Sequence, residues 1–190
     1  MAMARATALA FAVIAMSAGA VAPGQSAPAS PARVGPVLIA IPPGFAAAPS
    51  QKLKDTRLSA WTKSVRDGSI KTLLQVTVYN LGSHPDKTLS DQELVDGARQ
   101  YLRQALVAVE RRRAQFHASA ESRIAIAGAP AFKATWNGAV GTRNTVGVMY
   151  SVILRGRYSV LLQTQDLGDT PSSGMLEAMQ AIESIKVADP

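Results

Sequence analysis

Thr145 to Gln165, TVGVMYSVILRGRYSVLLQTQ, decides the fold. It reads as two long strands folded back on each other at Arg155-Gly156. A two-residue turn there suits a hairpin, because primed turns need positive φ and Gly156 supplies it without steric cost. That turn predicts a register in which Leu154 faces Arg157, Val152 faces Ser159, Tyr150 faces Leu161 and Val148 faces Gln163. Ile153 with Tyr158, Ser151 with Val160 and Met149 with Leu162 then occupy the other side. Both sides are substantially apolar. A sheet that met water on one side would alternate apolar with polar, so this hairpin predicts layers packed above and below it.

Working outward, Val37 to Ile41 is a short apolar run stopped by Pro42-Pro43-Gly44, a first strand ending in a rigid turn with Phe45 as the next anchor. From Leu58 to Val65 the chain alternates, Leu58, Ala60 and Thr62 on one side and Ser59, Trp61, Lys63 and Val65 on the other. The Asp67-Gly68 pair is a hairpin signal leading into Ile70 to Asn80, where Leu74, Val76 and Val78 face the core. After a loop containing Gly82, Pro85 and Asp86, Ser90 and Glu93 form a capping box, with Asp91 in the first turn where the positive end of the helix dipole favours it. Leu94, Ala98, Tyr101, Leu102, Ala105, Leu106 and Val109 follow at helical spacing, and Arg111-Arg112-Arg113 ends the run.

Arg123 to Ala127 is a further short strand, Gly128-Ala129-Pro130 a turn, and Ala131 to Val140 a strand carrying Phe132 and Trp136, with Gly138 and Gly141 marking a bend or end. Beyond the central hairpin, Asp166 to Asp169 reads as a loop and Thr170 as a helix cap with Pro171 at the first helical position. Leu176, Met179, Ile182 and Ile185 recur every three residues and predict a closing helix. No internal repeat and no coiled-coil heptad is present.

The N-terminal end is read differently. Arg5 precedes an apolar run from Ala6 to Ala18, and Ala18-Gly19-Ala20 offers a small-x-small cleavage site, so residues 1–20 are expected to be a signal peptide, with Ala22 and Ala27 as alternative cleavage points. A membrane anchor is the competing reading, but a span wants roughly 20 apolar residues and this run is shorter. Val21 to Pro36 is Pro-, Ala-, Gly- and Ser-rich with Arg33 as its single charge, and reads as a disordered tether. Residues 37–188 then form a single domain, and the protein is expected to be periplasmic or secreted. There is no cysteine, which excludes disulfides, thiolate metal sites and cysteine lipidation. Loss of residues 1–20, which carry only Arg5, leaves 19 basic and 13 acidic residues, a net charge of +6 that favours anionic partners in general.

The element order predicts an α+β fold, an antiparallel sheet of about six strands with a helix on each face, an α/β/α sandwich. The Pro42-Pro43-Gly44-Phe45 corner, the long middle helix, the Ile124-Ala125-Ile126-Ala127-Gly128 strand and turn, and the closing Leu176 to Val187 helix together resemble the PsbP-like superfamily. That superfamily includes the extrinsic photosystem subunit, a Ran-binding nuclear transport factor and bacterial exported lipoproteins; this chain departs from the lipoproteins in lacking a lipobox cysteine. The resemblance covers most of Val37 to Val187. It implies a non-catalytic, partner-binding domain and transfers no functional residue to a numbered position.

The chemistry-bearing residues point the same way. Only His84 and His117 could act as the usual base of a nucleophilic site. No Gly-x-Ser-x-Gly elbow occurs, and Ser83 beside His84 is a loop neighbour. His84 with Asp86, and Asp166 with Asp169, are pairs without further ligands, and loop carboxylates more often make turns than hold metals. No nucleotide-binding loop is present, so no cofactor is expected. The one concentrated feature is Arg111-Arg112-Arg113, with Arg99 and Arg103 on the same helix. Arginine makes forked contacts to carboxylate or phosphate, so this run is the candidate partner-binding site, docking onto an acidic envelope or extracellular protein or an anionic polymer. Its structural alternative is a solvated helix end. Nucleic-acid binding is not expected, because the few aromatics look core-bound and leave no stacking platform. The expectation is an exported, non-enzymatic binding or accessory domain, against the alternatives of a small exported hydrolase or a carrier of a small apolar ligand.

Overall fold

The computed structural model describes residues 30–52, 55–64, 70–82 and 89–188. The expected signal peptide at residues 1–20, the Asp67-Gly68 turn, and Ser83, His84 and Asp86 lie outside them. The strands in chain order are β1 (Ser30–Val34), β2 (Val37–Ile41), β3 (Ala46–Ala47), β4 (Gln51–Lys52), β5 (Thr56–Ser64) and β6 (Ile70–Asn80) before the first helix, α1 (Asp91–Glu110). There follow β7 (Ala114–Ala118), β8 (Ser122–Ile126), β9 (Ala129–Val140), β10 (Arg143–Leu154) and β11 (Tyr158–Leu167), then α2 (Ser173–Glu183) and β12 (Lys186–Val187).

The fold is α+β, with two helices and an antiparallel sheet among the described residues. Among the described residues that sheet has nine strands, in the order β3-β5-β6-β11-β10-β9-β7, with β4 also pairing β5 and β8 also pairing β9. The expectation of about six strands was too low. The surplus comes from short edge pieces such as β3, β4 and β7, too brief or too polar to show alternation. His117, just past the arginine run, therefore lies on β7 opposite Asn137. A smaller sheet joins β1, β2 and β12. β1 corrects the tether reading at its end: Ser30–Val34 pairs antiparallel with β2 through a turn at Gly35-Pro36. Pro- and Ala-rich composition hid it, because its partner strand, not its own periodicity, holds it.

The β10–β11 hairpin sits mid-sheet but one residue out of the expected register. Leu154 faces Tyr158, Val152 faces Val160, Tyr150 faces Leu162 and Val148 faces Thr164. The turn has three residues, not two: Arg155 itself takes a positive φ of 53° before Gly156 at 64°, and the Arg157 N–H donates to the Leu154 carbonyl at 3.2 Å. A one-residue slip exchanges the faces of β11. Val148, Tyr150, Val152, Leu154, Val160 and Leu162 thereby gather in one cluster with Met175, Ala178, Ala181 and Ile182 of α2. The alternate residues Met149, Ile153 and Leu161 join Ala98, Leu102, Ala105 and Val109 of α1.

α1 begins as the capping box requires. The Ser90 Oγ accepts from the Glu93 N–H at 3.3 Å and Glu93 Oε2 accepts from the Ser90 N–H at 2.9 Å. α2 starts two residues after the expected Pro171, with Ser172 and not Thr170 as its cap. The reason is tertiary. Asp166, read as a loop residue, is buried at the end of β11, where its carboxylate accepts from the Ser172 N–H and the Thr72 hydroxyl, each at 2.5 Å. This start rotates the buried stripe to Met175, Ala178, Ala181 and Ile182 and leaves Leu176 51% exposed. No helix among the described residues is long and apolar enough to cross a membrane.

Candidate anion-binding cleft

Three chain reversals meet at the end of the sheet where β10 turns into β11. The first is that turn: its three-residue loop sends both Arg155 and Arg157 outward, the Arg157 guanidinium lying 4.9 Å from the centre of the Tyr158 ring. Arg155 donates to the backbone carbonyl of Ala188, which fixes the arginine against the end of the small sheet. The second is the β1–β2 turn. Gly35, at φ 58°, presses on β6 so closely that a methyl group there would stand 3.3 Å from Val78 Cγ1, and Arg33 Nε donates to the Gly35 carbonyl at 3.3 Å. The Pro36 carbonyl accepts from the Ala188 N–H at 2.8 Å, tying this turn to the same place. The third is the entry to β5, where Lys52 pairs with Arg57 and the Asp55 carbonyl accepts from the Asn80 N–H at 2.8 Å.

These segments enclose a cleft of about 550 Å³. Arg33, Lys52, Arg57, Arg155 and Arg157 stand round it, with Asp55 its single acidic lining residue among the described residues. All five cations are exposed, while Pro36, Val78 and Ala188 close its floor. A recess bounded by one sign of charge concentrates anions, and guanidinium forks match carboxylate or phosphate oxygens two at a time. Among the described residues no histidine lines the cleft, and no group of three His, Cys, Asp or Glu side chains could hold a metal. The arrangement suits binding of a charged ligand.

The arginine run singled out from the sequence is divided by the structure. Arg111 and Arg112 are exposed at the end of α1, but Arg113 turns inward. Its guanidinium lies 4.4 Å from the centre of the Trp136 ring and donates to Gln165 Oε1 at 2.7 Å and to the Val109 carbonyl at 3.4 Å. Burial first, and the neighbouring charge of Arg112 second, pull its pKa down to about 10. Arg99 and Arg103 do not join the run. Both reach Glu121, Arg103 with a two-pronged contact and Arg99 at 3.6 Å, and Arg99 also covers the Phe132 ring at 4.7 Å. The run lies far from the cleft: Gln165, the partner of Arg113, is seven residues along β11 from Tyr158, roughly 24 Å at strand spacing.

The remaining candidates fall elsewhere. His117 lines a shallow polar recess of about 410 Å³ with Gln115, Asn137, Asn144 and Asp169, where Asn144 Nδ2 donates to Asp169 Oδ1 at 2.5 Å. Asp166 and Asp169 do not converge, since Asp166 is buried in its hydrogen bonds to Thr72 and Ser172 while Asp169 is exposed. The cleft itself escaped the sequence reading because its residues run from Arg33 to Ala188 and no local pattern links them. The Arg155-Gly156-Arg157 turn was the available signal: two cations flanking a glycine at a hairpin tip have to project together.

No protein-family model matches the chain, and no curated protein sequence is similar to it. Solved structures are. Mog1p, the Ran-binding protein of Saccharomyces cerevisiae, superposes with a TM-score of 0.53 at 13% identity, over 85% of this chain and 97% of that one. The cyanobacterial PsbP, CyanoP, of Synechocystis sp. PCC 6803 gives 0.53 at 14% identity, over 90% of this chain and 98% of that one. LpqN, involved in cell envelope biogenesis of Mycobacterium tuberculosis, gives 0.48 at 12% identity, over 86% and 87%. At these identities the likeness is one of fold, and the fold this chain shares with Mog1p and CyanoP is the PsbP-like fold that its sequence resembled.

Proposed function

We propose that the protein is an exported, non-enzymatic binding or accessory domain that docks an anionic partner into the cleft between the β1–β2 turn, the entry to β5 and the β10–β11 turn. The observation that carries this reading is the convergence of Arg33, Lys52, Arg57, Arg155 and Arg157, from separate segments, round one recess. Like charges so gathered repel one another, and a partner of opposite sign relieves that repulsion. The exposed pair Arg111 and Arg112 is a secondary contact near the opposite end of the sheet. Export rests on the N-terminal run of residues 6–20. The packing of α1 residues with Met149 and of α2 residues with Tyr150 supports the three-layered description of the fold.

The test is fluorescence anisotropy of labelled polyanions, oligoglutamate and polyphosphate, titrated with the folded protein across a salt series. Reversal of Arg57, Arg155 and Arg157 to glutamate is expected to weaken binding about tenfold or more and to flatten its salt dependence, while reversal of Arg111 and Arg112 changes it little. Equal loss in both variants, or in neither, refutes the cleft as the docking surface.

A further inference from the structure

Resting on that reading of the cleft, we infer that its ligand is an acidic stretch of polypeptide and not a phosphate polymer, and that Asp55 makes the distinction. The cations do not converge on a point. They stand on β1, β4, the start of β5 and the β10–β11 turn, round a volume of about 550 Å³, so the ligand must carry several negative charges set apart along its length. An extended peptide presents side chains to one face roughly every 7 Å, with neutral backbone between them. The floor formed by Pro36, Val78 and Ala188 is apolar, and suits the hydrocarbon stems of glutamate better than a chain made of charged groups alone.

Asp55 is the deciding feature. It places an exposed carboxylate on the wall of an otherwise cationic cleft. A phosphate polymer bears charge at every repeat and must set one beside this carboxylate, where the two like charges repel. A peptide places a backbone N–H, a neutral side chain or a lysine there. Rejection of the wrong partner by a like charge is how binding surfaces obtain specificity beyond attraction. Asn80, which also lines the cleft, holds its Oδ1 on the Gly82 N–H at 3.1 Å and adds an amide Nδ2 able to donate to a peptide carbonyl.

The experiment compares two fluorescent probes at one ionic strength: an acidic peptide of alternating glutamate and valine, and a polyphosphate of the same total charge. Each is titrated with the wild-type protein and with Asp55→Asn, a change that keeps side-chain size and the backbone bond to Asn80. The wild type is expected to prefer the peptide, and Asp55→Asn to tighten polyphosphate binding about three- to tenfold while moving the peptide less than about twofold. If polyphosphate binds as well as the peptide, or the substitution leaves their ratio unchanged, the inference is overturned while the docking reading stands. If neither probe binds, both fall together.

Discussion

Gly147 and Trp136 face each other across β10 and β9, and the indole lies flat on the glycine: a methyl group at Gly147 would stand 2.1 Å from Trp136 Cζ2 and 2.2 Å from Cε2. The Arg113 guanidinium also lies against this ring, and Phe116 flanks it at 6.2 Å between centroids. A glycine within a strand weakens it unless something takes the space, and here the ring does. Gly147→Ala is therefore expected to destabilise the protein by about 1–3 kcal/mol through overpacking. Trp136→Ala, which empties the same slot, is expected to cost about 3–5 kcal/mol. Urea unfolding of both variants checks this, and a Gly147→Ala protein as stable as wild type would show that the ring moves aside freely.

Arg111, Arg112 and Arg113 are adjacent in sequence and unlike in role. Removing the guanidinium of Arg113 forfeits its stacking on the indole and its hydrogen bonds to Gln165 and Val109. Arg113→Ala is expected to lose about 1–3 kcal/mol of stability. Arg111→Ala with Arg112→Ala, on exposed side chains, should stay within about 0.5 kcal/mol. Thermal unfolding of the two variants side by side decides it. A binding experiment that reversed all three charges at once would confuse misfolding with lost contact.

Asp166 is expected to be among the most sensitive polar positions. It is fully buried, and its carboxylate holds both the Thr72 hydroxyl of β6 and the N–H of the residue that caps α2. Asp166→Ala should cost about 3 kcal/mol, because two hydrogen bonds to a buried carboxylate are lost together. Ser172→Ala removes only the cap side chain and should cost about 1 kcal/mol. Chemical denaturation that ranked the two in the opposite order would mean that the helix start depends on Ser172 and not on Asp166.

What the sequence disclosed and what it hid divide by the range of the interaction. The Ser90–Glu93 capping box is complete within four residues, so it was legible, as was the doubly apolar hairpin with its alternating Val148 to Leu154. The hairpin register was not, because Arg-Gly is compatible with a two-residue turn and nothing local says that Arg155 will take a positive φ. The start of α2 went to Ser172 over Thr170 because Asp166 reaches it from the end of β11. β7 carries one half-buried aromatic, Phe116, in an otherwise exposed run, and shows itself only by pairing with β9. The cleft was the least legible feature of all: Arg33 and Arg157 share a wall only once β1, β6 and β11 are in place.

Tyr150 gives the protein an alkaline dependence whose sign can be worked out. The residue is fully buried, its hydroxyl donates to Glu183 Oε1 at 3.0 Å, and Lys133 Nζ reaches the same oxygen at 3.1 Å. Burial, then the charge of Glu183, then the hydrogen bond to it, hold the phenol protonated well above its ordinary value of 10.0. In the unfolded chain it ionises near 10, so its contribution to stability is complete below that pH and drains away above it, by up to about 1.4 kcal/mol per pH unit until the folded-state phenol itself ionises. Tyr101 is raised too, chiefly by burial, and works in the same direction. Arg113, pulled down to about 10, works in the opposite one, since the fold is relieved of a buried charge as that group deprotonates. The comparison that isolates the tyrosine is Tyr150→Phe. It should lose about 1 kcal/mol at neutral pH, from the hydrogen bond to Glu183, and show a shallower fall in Tm than wild type from pH 9.5 to 11.5. Parallel Tm curves would mean that ionisation of Tyr150 is not what alkali exploits.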